Sequence, residues 1–179
     1  MNLTLTLILS CCGLFAQSGP LTPAGDLQAA LEKRLKVFRE TEVKAEGGDL
    51  DALHKMGEYY FYGESPAAKD SVKAKAFWTR GASMGSANCA SAMHDVMFSR
   101  GITDPKVVIE RTKWYIIRTA LRNPRWQNNE PSYPVRPSDV SESSFEAAKL
   151  QANTFLAEVK LQRRKAKPST EKPPAVKQT

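Results

Sequence analysis

The chain has 179 residues, 41% of them hydrophobic and 25% charged, with 26 Lys+Arg against 19 Asp+Glu and a formal net charge of +7. That length fits one domain of ordinary size (about 100–200 residues), and the composition excludes collagen-like, fully disordered and polytopic membrane chains. The last twenty residues hold seven basic side chains against Glu171, leaving 19 basic and 18 acidic residues elsewhere, so a near-neutral body carries a basic tail and the charge gives no argument for a nucleic-acid-binding domain.

Residues 1–25 contain no charged side chain. MNLTLTLILSCCGLFAQS, residues 1–18, reads as a cleaved secretory signal followed by a linker over 19–25. Its apolar core, Leu3 to Leu9 and Cys11 to Phe15, is shorter than the ~20 residues of a spanning helix, and Ala16 and Ser18 suit a signal peptidase. The alternatives are a lipid-modified Cys11, since Ile8-Leu9-Ser10-Cys11 loosely resembles a lipoprotein box, and an uncleaved anchor. Cleavage would remove Cys11 and Cys12 and leave Cys89 as the sole thiol, which forms neither an intramolecular disulfide nor a zinc site. The expected location is periplasmic or secreted.

Asp26 to Glu46, with Leu27, Leu31, Leu35 and Phe38 at helical spacing, predicts an amphipathic helix. Gly48-Asp49 supplies a stop and a cap, and Asp49 to Tyr62 predicts a second helix with Leu53, Met56 and Tyr60 on its apolar stripe. Gly63-Glu64-Ser65-Pro66 ends it. Asp70 or Ser71 caps a third helix, which buries Ala74, Phe77 and Trp78 and stops at Gly85. The following segment repeats the pattern at an offset of 37: Ala45 meets Ala82, Gly48 meets Gly85, Met56 meets Met93, Phe61 meets Phe98, and Phe77-Trp78 meets Trp114-Tyr115. Asn123–Ser138, with four prolines plus Trp126 and Tyr133, predicts a long connection that packs on the last helices or binds a partner. Ser141–Lys160 predicts a terminal helix with Phe145, Ala148, Ala152, Phe155, Leu156 and Val159 on its apolar side, and 161–179 a disordered basic tail.

Ala45, Gly48, Ala52, Met56-Gly57, Tyr60, Gly63, Asp70, Lys73-Ala74, Phe77-Trp78, Ala82 and Gly85 together resemble the unit of the Sel-one-like repeat (SLR) family, relatives of the tetratricopeptide repeats. In the second unit His94 stands where a small Gly is usual, Met97 replaces an aromatic and Arg111 an Ala. The resemblance is strong over Ala45–Gly101 and weaker across the rest of Asp26–Lys160. It implies an all-α protein, a short right-handed α/α solenoid of about two SLR helix pairs (units 45–81 and 82–122) with N- and C-terminal capping helices. It also implies a non-catalytic interaction scaffold. The alternatives are a cell-envelope enzyme or β-lactam-binding protein, to which some cysteine-rich secreted relatives are linked, and tail-mediated contact with an anionic envelope polymer or surface. Nucleic-acid binding through the tail sits badly with a secretory signal.

The residues themselves point the same way. The sequence has no HExxH or CxxC motif and no phosphate-cradling glycine loop, so no cofactor, metal or catalytic set is expected. His54 and His94 read as packing histidines and Cys89 as a small buried hydrophobe. Asp51, Lys55, Glu58 and Tyr62 follow one another at helical spacing opposite the apolar stripe, and Asn88, Ala92, Asp95 and Ser99 match them in the next unit. In stacked helix pairs such stripes line the concave face, and Tyr59 and Tyr62 add the amphipathic contact area that interfaces favour. The expected partner is a protein or peptide, held by Asp51, Lys55, Glu58, Tyr59, Tyr62, Asn88 and Asp95 with Trp126 as a supplement.

Overall fold

A computed structural model describes residues 24–98, 103–123 and 134–166. Its helices are α1 (Ala24–Glu46), α2 (Leu50–Tyr62), α3 (Ser71–Ser83), α4 (Ala87–Val96), α5 (Pro105–Arg122) and α6 (Glu142–Ala166). The protein is all-α, with no strand among the described residues.

Capping sets the boundaries. Asp49 accepts from the Ala52 amide (2.8 Å), Asp70 from Val72 and Lys73 (3.0 Å each), Ser86 from Cys89 (3.3 Å) and Asp104 from Lys106 (2.9 Å), with Pro105 opening α5. Each satisfies amide donors that a helix start leaves unpaired. Gly63 closes α2 at φ 71°, a left-handed conformation costly for any residue with a Cβ, and its N–H returns to the Tyr59 carbonyl (3.0 Å).

Of the described residues, 24–33 fall in one unit and 34–166 in a second, and α1 runs through the boundary. In the first unit Leu27 and Leu31 are exposed, so this stretch of the expected capping stripe is not buried. Among the described residues, the first unit holds no second element to cover them. In the second unit Phe38 is buried against Tyr59 and Tyr60, with ring centroids 5.3 and 6.3 Å away.

The core of the second unit is built by consecutive helices: α2 packs on α3, α3 on α4, α4 on α5 and α5 on α6, with α2 also meeting α4 and α3 meeting α6. Leu53, Met56, Cys89, Ile116, Ile117, Val140 and Val159 are almost fully enclosed. Small residues make that possible. A Cβ at Gly57 would overlap the Trp78 indole, and one at Gly81 would overlap Cys89 Sγ. Trp78 lies flat enough on α2 for its Nε1 to donate to the His54 carbonyl at 3.1 Å.

Two expectations need correction. Asp49 and Ser86, the caps of α2 and α4, stand 37 residues apart, whereas Asp70 and Asp104, the caps of α3 and α5, stand 34 apart. The cause is α4, which has 10 residues where α2 has 13. Counted from their caps, Trp78 therefore corresponds to buried Thr112 and Ala82 to buried Ile116, and the Phe77-Trp78 to Trp114-Tyr115 match does not carry over to burial. The second correction concerns the tail. Residues 161–166 are helical, because Arg163 donates to the Gly85 carbonyl (3.0 Å) and the cations Arg163, Arg164 and Lys165 sit at the negative end of the α6 dipole. Gly85, at φ 96°, leaves the space that the guanidinium fills.

The near end of the Pro-rich connection packs. Arg111 pairs with Asp139 (2.8 Å), Tyr115 Oη donates to the Val135 carbonyl (3.5 Å), Arg136 donates to the Val140 carbonyl, and Val140 is buried. The signal at 1–18, Cys11, the linker over 19–23, Ser99, Trp126, Tyr133 and the tail beyond Ala166 lie outside the described residues.

Gly57→Ala is expected to cost about 1–3 kcal/mol, the usual range for overpacking, read as a lower urea midpoint. Thr112, whose buried hydroxyl has no hydrogen-bond partner among the described residues, supplies the contrast: Thr112→Val should leave the midpoint unchanged or raise it.

Candidate functional site

Between α2, α3 and α4 lies a groove of 340 Å³. His54, Glu58, Phe61 and Tyr62 reach it from α2, at i, i+4, i+7 and i+8. Asn88, Ser91, Ala92, Asp95 and Val96 reach it from α4, and Trp78 from α3. Of the residues expected to bind, Glu58, Tyr62, Asn88 and Asp95 therefore share one wall system. Asp51, Lys55 and Tyr59 are not among its lining residues. Tyr59 turns to Phe38, and Lys55 bridges Glu58 (3.1 Å) and Glu64 (3.9 Å) while lying 5.0 Å above the Tyr59 ring.

Sequence reasoning passed over His54, Phe61, Ser91 and Val96 as binding residues. Extending the stripe of Glu58 and Tyr62 back by four residues would have found His54, whose Nδ1 is 4.0 Å from Glu58 Oε1. Trp78, a core residue by its spacing, is only 2% exposed and also lines the groove, while its N–H is engaged by the backbone.

The groove is amphipathic. Tyr62 is 66% exposed, an aromatic surface at the rim that water covers poorly. The carboxylates are braced by cations on their own or the neighbouring helix. Lys55 holds Glu58, and that hydrogen bond raises the lysine above its ordinary pKa against a smaller opposing effect of burial. Arg118 of α5 reaches Asp95 Oδ1 (3.4 Å), and Arg122 donates to Ser91 Oγ (2.9 Å). Ser91 in turn donates its hydroxyl hydrogen to the Ala87 carbonyl (2.8 Å), so it is engaged in both directions. These arrangements present oriented acceptors and an aromatic face, which suits the recognition of a polar, partly apolar chain. Among the described residues no three His, Cys, Asp or Glu side chains come together as a metal set.

Two groups singled out in the sequence lie behind the walls. Cys89 is fully buried at the α3 contact, and burial pushes its thiol up. His94 sits in the α4–α5 packing with a side chain 12% exposed, its Nδ1 donating to Asp95 Oδ1 (2.8 Å) and its ring 6.1 Å from Tyr115. Burial holds its pKa below the ordinary 6.5, which the Asp95 bond opposes and Arg118 and Arg111 reinforce.

The folded state thus disfavours imidazolium at position 94. As pH falls below about 6.5 the unfolded chain takes up that proton first, so stability is full above 6.5 and declines as pH falls towards the lower folded value. In urea denaturation between pH 7 and pH 5, His94→Gln should show a shallower decline than the parent chain. An identical slope would remove His94 as its source.

Comparison of the chain with family models, with curated proteins and with solved structures finds no match. The reading of the groove therefore rests on its geometry.

Proposed function

We propose that this protein is a non-catalytic protein–protein interaction scaffold, and that the α2–α4 groove receives an extended segment of its partner. The observation that carries the reading is the convergence of Glu58, Tyr62, Asn88 and Asp95, from two helices remote in sequence, on one 340 Å³ groove with Trp78 beside them. The commitment of Ser91 to Ala87 and Arg122 favours recognition over nucleophilic chemistry at the same place.

In this reading the helix order is a short right-handed α/α solenoid of SLR type, closed by α1 and α6. The resemblance over Ala45–Gly101, the packing of consecutive helices and the matched caps Asp49 and Ser86 support it. The protein acts outside the cytoplasm, in the periplasm or secreted, after loss of residues 1–18; the apolar, uncharged character of that segment supports this. Mass spectrometry of the mature amino terminus in the native host checks it, and an intact Met1 in a soluble cytosolic pool would reject it.

A standard specific interface buries about 800 Å² on each partner, more than two short helix faces supply, so the affinity of this groove alone is modest. Cross-linking in the native host followed by quantified capture tests the site. Tyr62→Ala should weaken capture of the partner about tenfold, as loss of an aromatic anchor does, and Glu58→Arg should also weaken it. Deleting the residues after Ala166 should leave capture in place. If capture survives both substitutions and vanishes with the tail, the groove is not the binding site and attachment is electrostatic.

A further inference from the structure

A second groove, of 450 Å³, lies among α1, α2, the 63–70 loop and the start of α3, and its chemistry differs from that of the first. Its floor is aromatic and apolar. Phe38 (9% exposed) and Ala67 (8%) are buried, and Tyr60 stands edge-on to Phe38 at 6.3 Å while stacking on Phe77 at 5.7 Å with an interplanar angle of 8°. Tyr60 is thereby fixed from both sides.

Three cations line the same space: Arg39 from α1, Lys69 from the loop and Lys73 from α3. Among the described residues none of the three has a carboxylate within 4.0 Å. Several other cations of the second unit do pair with acids: Lys55, Arg111, Lys113, Arg118, Arg136 and Lys149, each at 2.6–3.4 Å. Asp70, which also lines this groove, is already held by the first amides of α3, and Glu42 is the other carboxylate there. Lys73 Nζ instead lies 5.2 Å above the Tyr60 ring, a cation held over the aromatic floor. Arg39, Lys69 and Lys73 against Glu42 and Asp70 leave the lining with a net charge of 3 − 2 = +1, and an anionic group entering the recess is favoured by that excess.

We propose that this groove docks an acidic peptide segment of a partner protein, in which an aromatic or aliphatic anchor settles on Phe38 and Tyr60 while flanking Asp or Glu side chains pair with Arg39, Lys69 and Lys73. The recess favours a peptide over a membrane surface, because a bilayer meets protruding apolar side chains and the apolar atoms here lie at the bottom of a concavity. The site is independent of the α2–α4 groove: on α2 Tyr60 and Tyr62 are two residues apart and so point to different faces. Two grooves of opposite lining charge would let one short chain hold two partner segments at once.

The test uses the ¹⁵N-labelled protein and a capped peptide, Gly-Asp-Glu-Leu-Phe-Glu-Asp-Gly. Two control peptides carry Lys at every acidic position, or Ser in place of Leu-Phe. The acidic peptide should give saturable amide shifts centred on Tyr60, Ala67 and Lys73 at or below about 1 mM peptide, and both controls should not. Arg39→Glu combined with Lys73→Glu should weaken the acidic peptide at least about fivefold, the effect of losing two exposed charge pairs, and Lys69→Gln should weaken it in the same direction. Glu58→Arg should leave it unchanged, which separates this site from the first groove. Circular dichroism of each variant checks the fold, and Lys69→Gln decides the matter if the double variant does not fold. Absence of saturable shifts, an equal response to the Lys peptide, or indifference to the substitutions overturns the proposal. So does sedimentation with phosphatidylglycerol vesicles that depends on Arg39 and Lys73 while the peptide gives no shifts, since the anion would then belong to a lipid surface.

Discussion

The contact between Trp78 and Gly57 is the constraint on which the second unit depends. An indole pressed on a helix backbone needs the absence of a side chain beneath it, and Gly57 provides that absence. Close approach then brings the Trp78 N–H within reach of the His54 carbonyl, a carbonyl already part of the α2 ladder. A buried indole N–H without a partner would cost roughly 1–3 kcal/mol, so the hydrogen bond and the burial reinforce each other. The same economy of side-chain volume recurs at Gly81 against Cys89, one helix on. With α3 held this closely to both α2 and α4, those two helices meet, and their polar edges form the walls of one groove.

Charge is organised around that packing. On α4 and α5 the ionic groups brace one another: His94 and Arg118 share Asp95, and Arg111 ties the incoming segment before α6 through Asp139. These pairs are partly exposed, so each adds little to stability, and their effect is to hold side chains in one orientation. Arg163 does the equivalent with a backbone carbonyl, fastening the end of α6 to the α3–α4 turn. In the α1–α3 groove Lys73 lies over the Tyr60 ring, and Arg39, Lys69 and Lys73 have no carboxylate within 4.0 Å among the described residues.

Helix-level features were legible in the sequence because they depend on near neighbours. Asp49, Asp70, Ser141 and the Gly63 stop act within four residues of their own positions, and each does so in the structure. Apolar spacing likewise anticipated Leu53, Met56, Ala74, Trp78, Ala148, Ala152 and Val159 as core, since burial on one face follows the 3.6-residue period. Half of the groove followed from the same period, because Glu58 and Tyr62, like Asn88 and Asp95, lie on one face of one helix.

The tertiary structure decided the rest. Whether Tyr59 joins Tyr62 or turns to Phe38 depends on where a second helix lies, and that is a long-range property. The α4 helix ends three residues earlier than its counterpart, which rotates the burial pattern of α5 away from the 37-residue register that the identities suggested. Arg163 extends a helix into a segment whose composition reads as a disordered tail, because Gly85, 78 residues away, leaves a seat for its guanidinium. The sequence by itself therefore determined the helices, their caps and their apolar faces, all set by interactions within a few residues. Which polar side chains share a groove, and which cations stand without an acid beside them, was settled by the approach of helices distant in sequence, where a single glycine or a missing turn changes the neighbours of every residue that follows.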